Sequence, residues 1–182
     1  MADVPKLAEL EFIPYIDTEG QLPDSLQGKV GVYAIFDRDH SLQYIGYSRD
    51  VFLSLKQHLV RQVDRCYGLK VYCVEKPSRS LLETVRTDWI AEWMQEKGAT
   101  PPGNDADLAA WTEPISVSHQ MTAEEQEKYN HPGNSEVDRG KVLKTVARRI
   151  EANILKTLHD RGIQVELRFN PKLKEEGLLD LK

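Results

Sequence analysis

From Val30 the chain runs VGVYAIF, breaks at the polar turn Asp37-Arg38-Asp39-His40-Ser41, and resumes as LQYIGY from Leu42 to Tyr47. Two short runs of β-branched and aromatic residues flanking a polar turn predict a β-hairpin. Counting by two puts Gly31, Tyr33 and Ile35 on one face of the first strand and Tyr44 and Gly46 on one face of the second. Two phenols can therefore enter one site. Glycines beside them would let a backbone or a phosphate approach closely. The next run, VFLSLKQHLVRQV, spaces Val51, Leu55, Leu59 and Val63 four apart, with Ser48 or Asp50 available as N-cap, and predicts a helix. Gly68 to Val74 predicts a third strand, and Ser80 to Lys97 a second helix that turns Leu82, Val85, Trp89, Ile90 and Trp93 toward a core.

Beyond the second helix the pattern loosens. Residues 99 to 138 form a long connection rich in Pro, Gly, Asn and acidic residues, and connections of that length are usually functional or interaction-prone. Within it, Thr122 to Tyr129 predicts a short acidic helix, with a Thr cap and Glu125 three residues later. Leu143, Val146, Ile150, Ile154 and Leu158 mark the apolar face of a further helix. Gly162 to Phe169 alternates cleanly, with apolar residues at 163, 165, 167 and 169, and predicts one more strand that pairs with the sheet edge. A charged tail, Lys172 to Lys182, carries leucines that suit docking on its own domain or on a partner.

Charge changes this picture locally. The 182 residues carry a net charge of −5, which argues weakly against indiscriminate binding to phosphate backbones. Residues 1 to 27 hold six acidic residues against Lys6, whereas between Arg139 and Arg161 seven basic residues face only Glu151 and Asp160. Lys141, Lys144 and Arg148 fall at helical steps and form a basic stripe, read as a solvated face or as a phosphate-contacting one. Hydrophobic residues make up 40% of the chain, enough for a real core, and no apolar run nears the roughly 18 residues of a membrane span. Met1-Ala2-Asp3-Val4-Pro5 is acidic where a signal segment is basic, so the expected setting is the cytoplasm. Cys66 and Cys73 lack His or Cys partners at metal spacing; they read as reduced packing residues, and no zinc site or other cofactor is implied.

Gly31-Val32-Tyr33 followed by Tyr44-Ile45-Gly46 resembles the motif pair of the GIY-YIG nuclease superfamily. The order strand, strand, helix, strand, helix and an asparagine after the second helix, Asn104, extend the likeness over residues 28 to 104. The resemblance implies an α+β sandwich, a ββαβα core with a small antiparallel sheet flanked by helices. The expected organisation is an acidic arm (1–27), the core (28–104), a long connection (105–138), and an appended basic helix, edge strand and tail packing on the core (139–182). The whole chain is similar to small GIY-YIG-domain proteins of cyanobacteria and plastids.

The resemblance also implies a site. Tyr33 matches the tyrosine that activates or positions the attacking water, Tyr44 its neighbour in the same site, and His58 and Asn104 two further family positions. A phenol is a poor base at neutral pH unless a cation or metal stabilises the phenolate. The helix arginine that would do so falls at Ser54, and the metal-binding glutamate falls at Arg86, a charge that opposes a hard cation. The expectation is therefore a nuclease fold with a degraded site, a non-catalytic module for nucleic acid, or for a protein bound through the C-terminal helix and tail, with Arg86, Lys141, Lys144 and Arg148 as anion-binding candidates. The alternative is an active Mg-dependent endonuclease in which Glu83 takes the metal and Lys56 or Arg49 replaces the arginine.

Overall fold

The structure, a computed structural model, describes residues 4–182; the acidic start Met1-Ala2-Asp3 lies outside them. The chain divides into two compact units, residues 1–112 with 163–165, and residues 113–162 with 166–182.

The first unit is built on a four-stranded antiparallel sheet: β1 (Ile13–Pro14), β2 (Gly31–Phe36), β3 (Leu42–Ser48) and β4 (Gly68–Cys73), in the order β1-β4-β2-β3. Helix α1 (Val51–Arg61) joins β3 to β4, and α2 (Arg79–Lys97) follows β4. The class expected from the sequence, a mixed α and β fold with a small antiparallel sheet flanked by helices, is the one observed. Strand β2 is buried at all six residues because it pairs on both sides. Its register sets Tyr33 opposite Gly46 of β3 and Val71 of β4, and Ile35 opposite Tyr44. The alternate residues Val32, Ala34 and Phe36 point to the opposite face, where they pack with Leu42, Ile45 and α2 residues Leu82, Val85 and Trp89.

Local chemistry sets the helix ends. The Asp50 carboxylate accepts from the Leu53 amide at 3.1 Å, starting α1, while Ser78 caps α2 and Gly98, with φ of 74°, ends it. A segment before β1 straps onto α2. The Glu92 carboxylate receives the Leu7 and Ala8 amides, both at 2.8 Å, and the Trp89 indole donates to the Pro5 carbonyl at 3.0 Å. After α2 a 3-10 turn, Pro102–Asn104, leads to the short helix α3 (Leu108–Thr112).

The second unit pairs two strands of two residues each, β5 (Ile115–Ser116) and β6 (Leu178–Leu179), and packs α4 (Ala123–Tyr129) beside the 25-residue helix α5 (Glu136–Asp160). Thr122 with Glu125, and Ser135 with Asp138, form capping boxes at the starts of α4 and α5. Arg149 then ties the two helices, its guanidinium meeting Glu125 at 2.7 Å and the Gln120 carbonyl at 2.8 Å. That contact is the chief reason the Glu125 carboxyl is held down to about 2. The tail folds back within this unit, with fully buried Leu179 in β6. No described helix is long and apolar enough to cross a membrane.

One predicted element is absent. Residues 162–169 form no strand; Ile163 and Phe169 are buried and the even positions exposed, as the alternation requires, but only Phe169 finds a bridge partner, Leu181. The Gln164 amide is spent on the Gly20 carbonyl at 2.8 Å. A period of two describes which side chains go inward; a strand also needs a neighbour for its ladder, and here the backbone partners are scattered.

Replacing Glu92 with Ala should leave the Leu7 and Ala8 amides without acceptors, so native-state hydrogen exchange at these two positions should quicken while the β2 amides keep their protection.

Candidate functional site

The face of the sheet carrying Tyr33 meets α1. The Tyr33 hydroxyl lies 2.8 Å from His58 Nε2, and Ser54 bears on the same phenol. Ser54 donates to Ser48 at 2.8 Å, and Ser48 donates to the Asp50 carbonyl at 2.8 Å. A carbonyl only accepts, so this chain runs one way, from Ser54 to Ser48 to the Asp50 carbonyl. Ser54, the position counted as the lost arginine, thus stands beside the phenol that the arginine was expected to serve.

Tyr44 completes an aromatic cluster. Its ring lies 6.3 Å from that of Tyr33 and 4.9 Å from His58, and it stacks on Trp111 of α3 at 5.1 Å with planes 8° apart. Gly46 makes this arrangement fit. A Cβ there would sit 2.6 Å from the Tyr44 ring and 2.9 Å from the Tyr33 hydroxyl, so the space that the sequence suggested for a phosphate is filled by the two phenols themselves.

The cluster is sealed. Tyr33 is 2% exposed, Tyr44 6% and His58 4%. Burial, reinforced by Tyr44, drives the Tyr33 phenol far above its ordinary range, and burial likewise raises Tyr44 against the opposing Arg86 and Arg61 guanidiniums. Burial, with help from Arg61, pulls His58 down to about 3, with the Trp111 backbone carbonyl opposing in part. Neutral phenols and a neutral imidazole hold this geometry at physiological pH, and none of them is poised as a base.

Asn104 belongs to the scaffold of this region. Its Oδ1 accepts from the Ile45 amide and its Nδ2 donates to the Ile45 carbonyl, each at 2.7 Å, so both ends of the amide are spent on the backbone of β3. Gly103 permits the close approach, since a Cβ there would lie 2.7 Å from the Gln43 carbonyl oxygen and from the Trp111 ring.

The charged candidates sit elsewhere. Glu83 accepts from the Tyr47 hydroxyl at 3.1 Å and from Arg79 at 2.8 Å, so it is committed away from Tyr33. Arg86 lies 5.7 Å from the centre of the Tyr47 ring, acts on Tyr44, and keeps a buried Nε without a hydrogen bond. Neither Arg49 nor Lys56 is among the charges bearing on Tyr33, whereas Arg61 is. Arg61 also donates to the Trp111 carbonyl at 2.9 Å. Among the described residues no three His, Cys, Asp or Glu side chains converge as a metal site. In the second unit Lys141 pairs with Asp138 at 3.5 Å and Lys144 with Glu175 at 2.7 Å, which leaves Arg148 as the stripe member without an ion pair. Sequence reasoning missed Arg61 and Trp111 as members of the cluster. Arg61 follows His58 by three residues, a spacing that could have revealed it, whereas Trp111 arrives from fifty residues further on and gives no local signal.

No family model matches the chain. Over 101 residues, 56% of its length, it is 35% identical to a curated relative, the bifunctional monothiol glutaredoxin-S16, chloroplastic, of Arabidopsis thaliana, and it spans 33% of that protein. The relative carries the name of a thiol-redox protein. On this finding the function expected from the sequence is corrected in both its forms, the degraded nuclease acting as a nucleic-acid- or protein-binding module and the Mg-dependent endonuclease, and with them the description as nuclease-like. The burial of Tyr33 and Tyr44 and the commitment of Glu83 give a physical reason against cleavage at this cluster.

Two outcomes test the geometry. Asn104→Ala strands the Ile45 amide and carbonyl and should cost about 1–3 kcal/mol in urea unfolding; Asn104→Asp, which sets an acceptor against the Ile45 carbonyl, should not restore it. For His58 the folded value of about 3 lies below the ordinary 6.5, so the unfolded chain takes up its proton first as pH falls. Stability from neutral His58 is fully present above about 6.5 and drains toward about 3, and the drop in thermal midpoint over that window should be shallower in His58→Gln.

Proposed function

We propose that this chain acts in thiol–disulfide chemistry and presents a single reactive thiol, Cys73. The observation that carries this reading is the contrast between its two cysteines. Cys66 is fully buried and its thiol donates to the His58 carbonyl at 3.6 Å, while Cys73 is exposed at the end of β4, past the two residues that pair with β1. One reachable thiol suits a monothiol reaction. The Cys73 thiolate attacks one sulfur of a disulfide, a mixed disulfide forms, and the second sulfur leaves as a thiolate that takes a proton from water. Partial burial raises the Cys73 thiol and Lys29 opposes that rise, so the resting form at neutral pH is the thiol and exchange speeds up toward alkaline pH. The similarity to a monothiol glutaredoxin over about half of this chain supports the same reading.

We also propose that residues 28–104 form a GIY-YIG-type scaffold. Support comes from the meeting of Tyr33, Ser54 and His58 on one face and from Asn104, in the turn after α2, bonding to strand β3, all positions that the motif register had marked. The proposed setting is a reducing compartment: the cytoplasm was expected from the sequence, and the relative is named as chloroplastic. Cys66 and Cys73 are present as thiols, in keeping with such a setting.

Incubation with oxidised glutathione should add one glutathionyl group at Cys73, reversible by dithiothreitol, at a rate that climbs with pH beyond the range of an ordinary cysteine. The adduct should persist in Cys66→Ser and vanish in Cys73→Ser. Failure to label Cys73 at alkaline pH, or labelling confined to Cys66, would sink the reading.

A further inference from the structure

A groove of about 520 Å³ opens in the first unit between the end of β3 and the start of α2, well outside the sealed aromatic cluster. Its volume lies in the range of small-molecule sites. The walls divide by chemistry. Val30, Leu82 and the Tyr47 ring supply an apolar side, and Arg49 and Arg79 supply a cationic one. Arg49 is exposed and makes no hydrogen bond or ion pair among the described residues, so its guanidinium is open to a ligand. Arg79 donates through Nε to Glu83 at 2.8 Å and also acts on the Tyr47 hydroxyl, and it is otherwise exposed. Glu83, the carboxylate bound to Arg79, is itself tied down by that bond and by the Tyr47 hydroxyl. No carboxylate lines the groove.

We propose that this groove binds a small organic anion, a carboxylate or phosphate group attached to an apolar body. The anionic end meets the guanidiniums of Arg49 and Arg79, whose flat forks match a carboxylate or phosphate in paired hydrogen bonds. The body lies on Tyr47, Val30 and Leu82, where loss of water from apolar surface adds to the charge attraction. Glu83 has a positioning part: it holds Arg79 at the groove through Nε. This site is independent of the Cys73 reading, and the groove and the thiol can each fail alone.

The test uses the whole chain in the Cys73→Ser form, with four probes followed by amide chemical shifts: phenyl phosphate, 3-phenylpropionate, benzyl alcohol and inorganic phosphate. The two aromatic anions should shift the Arg49, Ser78 and Leu82 amides saturably. Benzyl alcohol, which lacks the charge, and inorganic phosphate, which lacks the body, should each bind at least about tenfold more weakly. Comparison of the two aromatic anions decides between phosphate and carboxylate as the favoured end. Arg49→Gln and Arg79→Gln should each weaken both, and together abolish saturation, with the fold intact by the Tyr33 and Ile45 resonances. Shifts that do not saturate, that appear elsewhere, or that are untouched by the double substitution overturn the proposal.

Discussion

Strand β2 has no free edge, and the remainder of the first unit is arranged around that constraint. Its six residues are buried, so every backbone N–H and C=O needs a partner; β4 pairs with it in one register throughout and β3 in one register from Gly31 to Ile35, shifting at Phe36. That register lays Gly46 across from Tyr33, where the missing side chain leaves room for the two phenols. A slip by one residue would turn Val32 and Ala34 toward α1 and Tyr33 toward Trp89, exchanging the two faces of the core. The polar cluster and the apolar core are thus consequences of one pairing.

Elements whose partners are close in sequence were legible. The hairpin, α1, β4, α2, α4 and most of α5 follow from periodicity and caps; Thr122 with Glu125 is a local signature and formed as such. Elements that depend on distant partners were not. β1, β5 and β6 are two residues long and exist only through the strands they meet, and the alternating run 162–169 lacks a ladder although its side chains sort inward and outward correctly. The site divides in the same way. Counting placed Ser54 and His58 beside Tyr33, since all three sit on adjacent regular elements. Neither periodicity nor motif spacing could show that Trp111 would close the cluster, because that depends on how α3 returns to α1, whereas Arg61 stands one helical turn past His58.

Burial also separates the chain's reactive groups by reach. Tyr33, Tyr44, His58 and Cys66 lie inside, where desolvation holds the first three in neutral forms, while Cys73, Arg49 and Arg79 lie outside. Groups that look like catalytic equipment in the sequence therefore serve the fold. Of the residues exposed to another molecule, the motif register had marked Arg49 alone, and then only as a substitute for the missing arginine.

Asn104 has one more effect. β3 is the outer strand of the sheet, and such a strand offers its unpaired amides and carbonyls to any extended chain that drifts alongside. The Asn104 side chain occupies the N–H and C=O of Ile45 in the middle of that border, much as a neighbouring strand would. One carboxamide thereby works as a guard against sheet extension between molecules, protecting the protein from aggregation at the edge that carries the second motif.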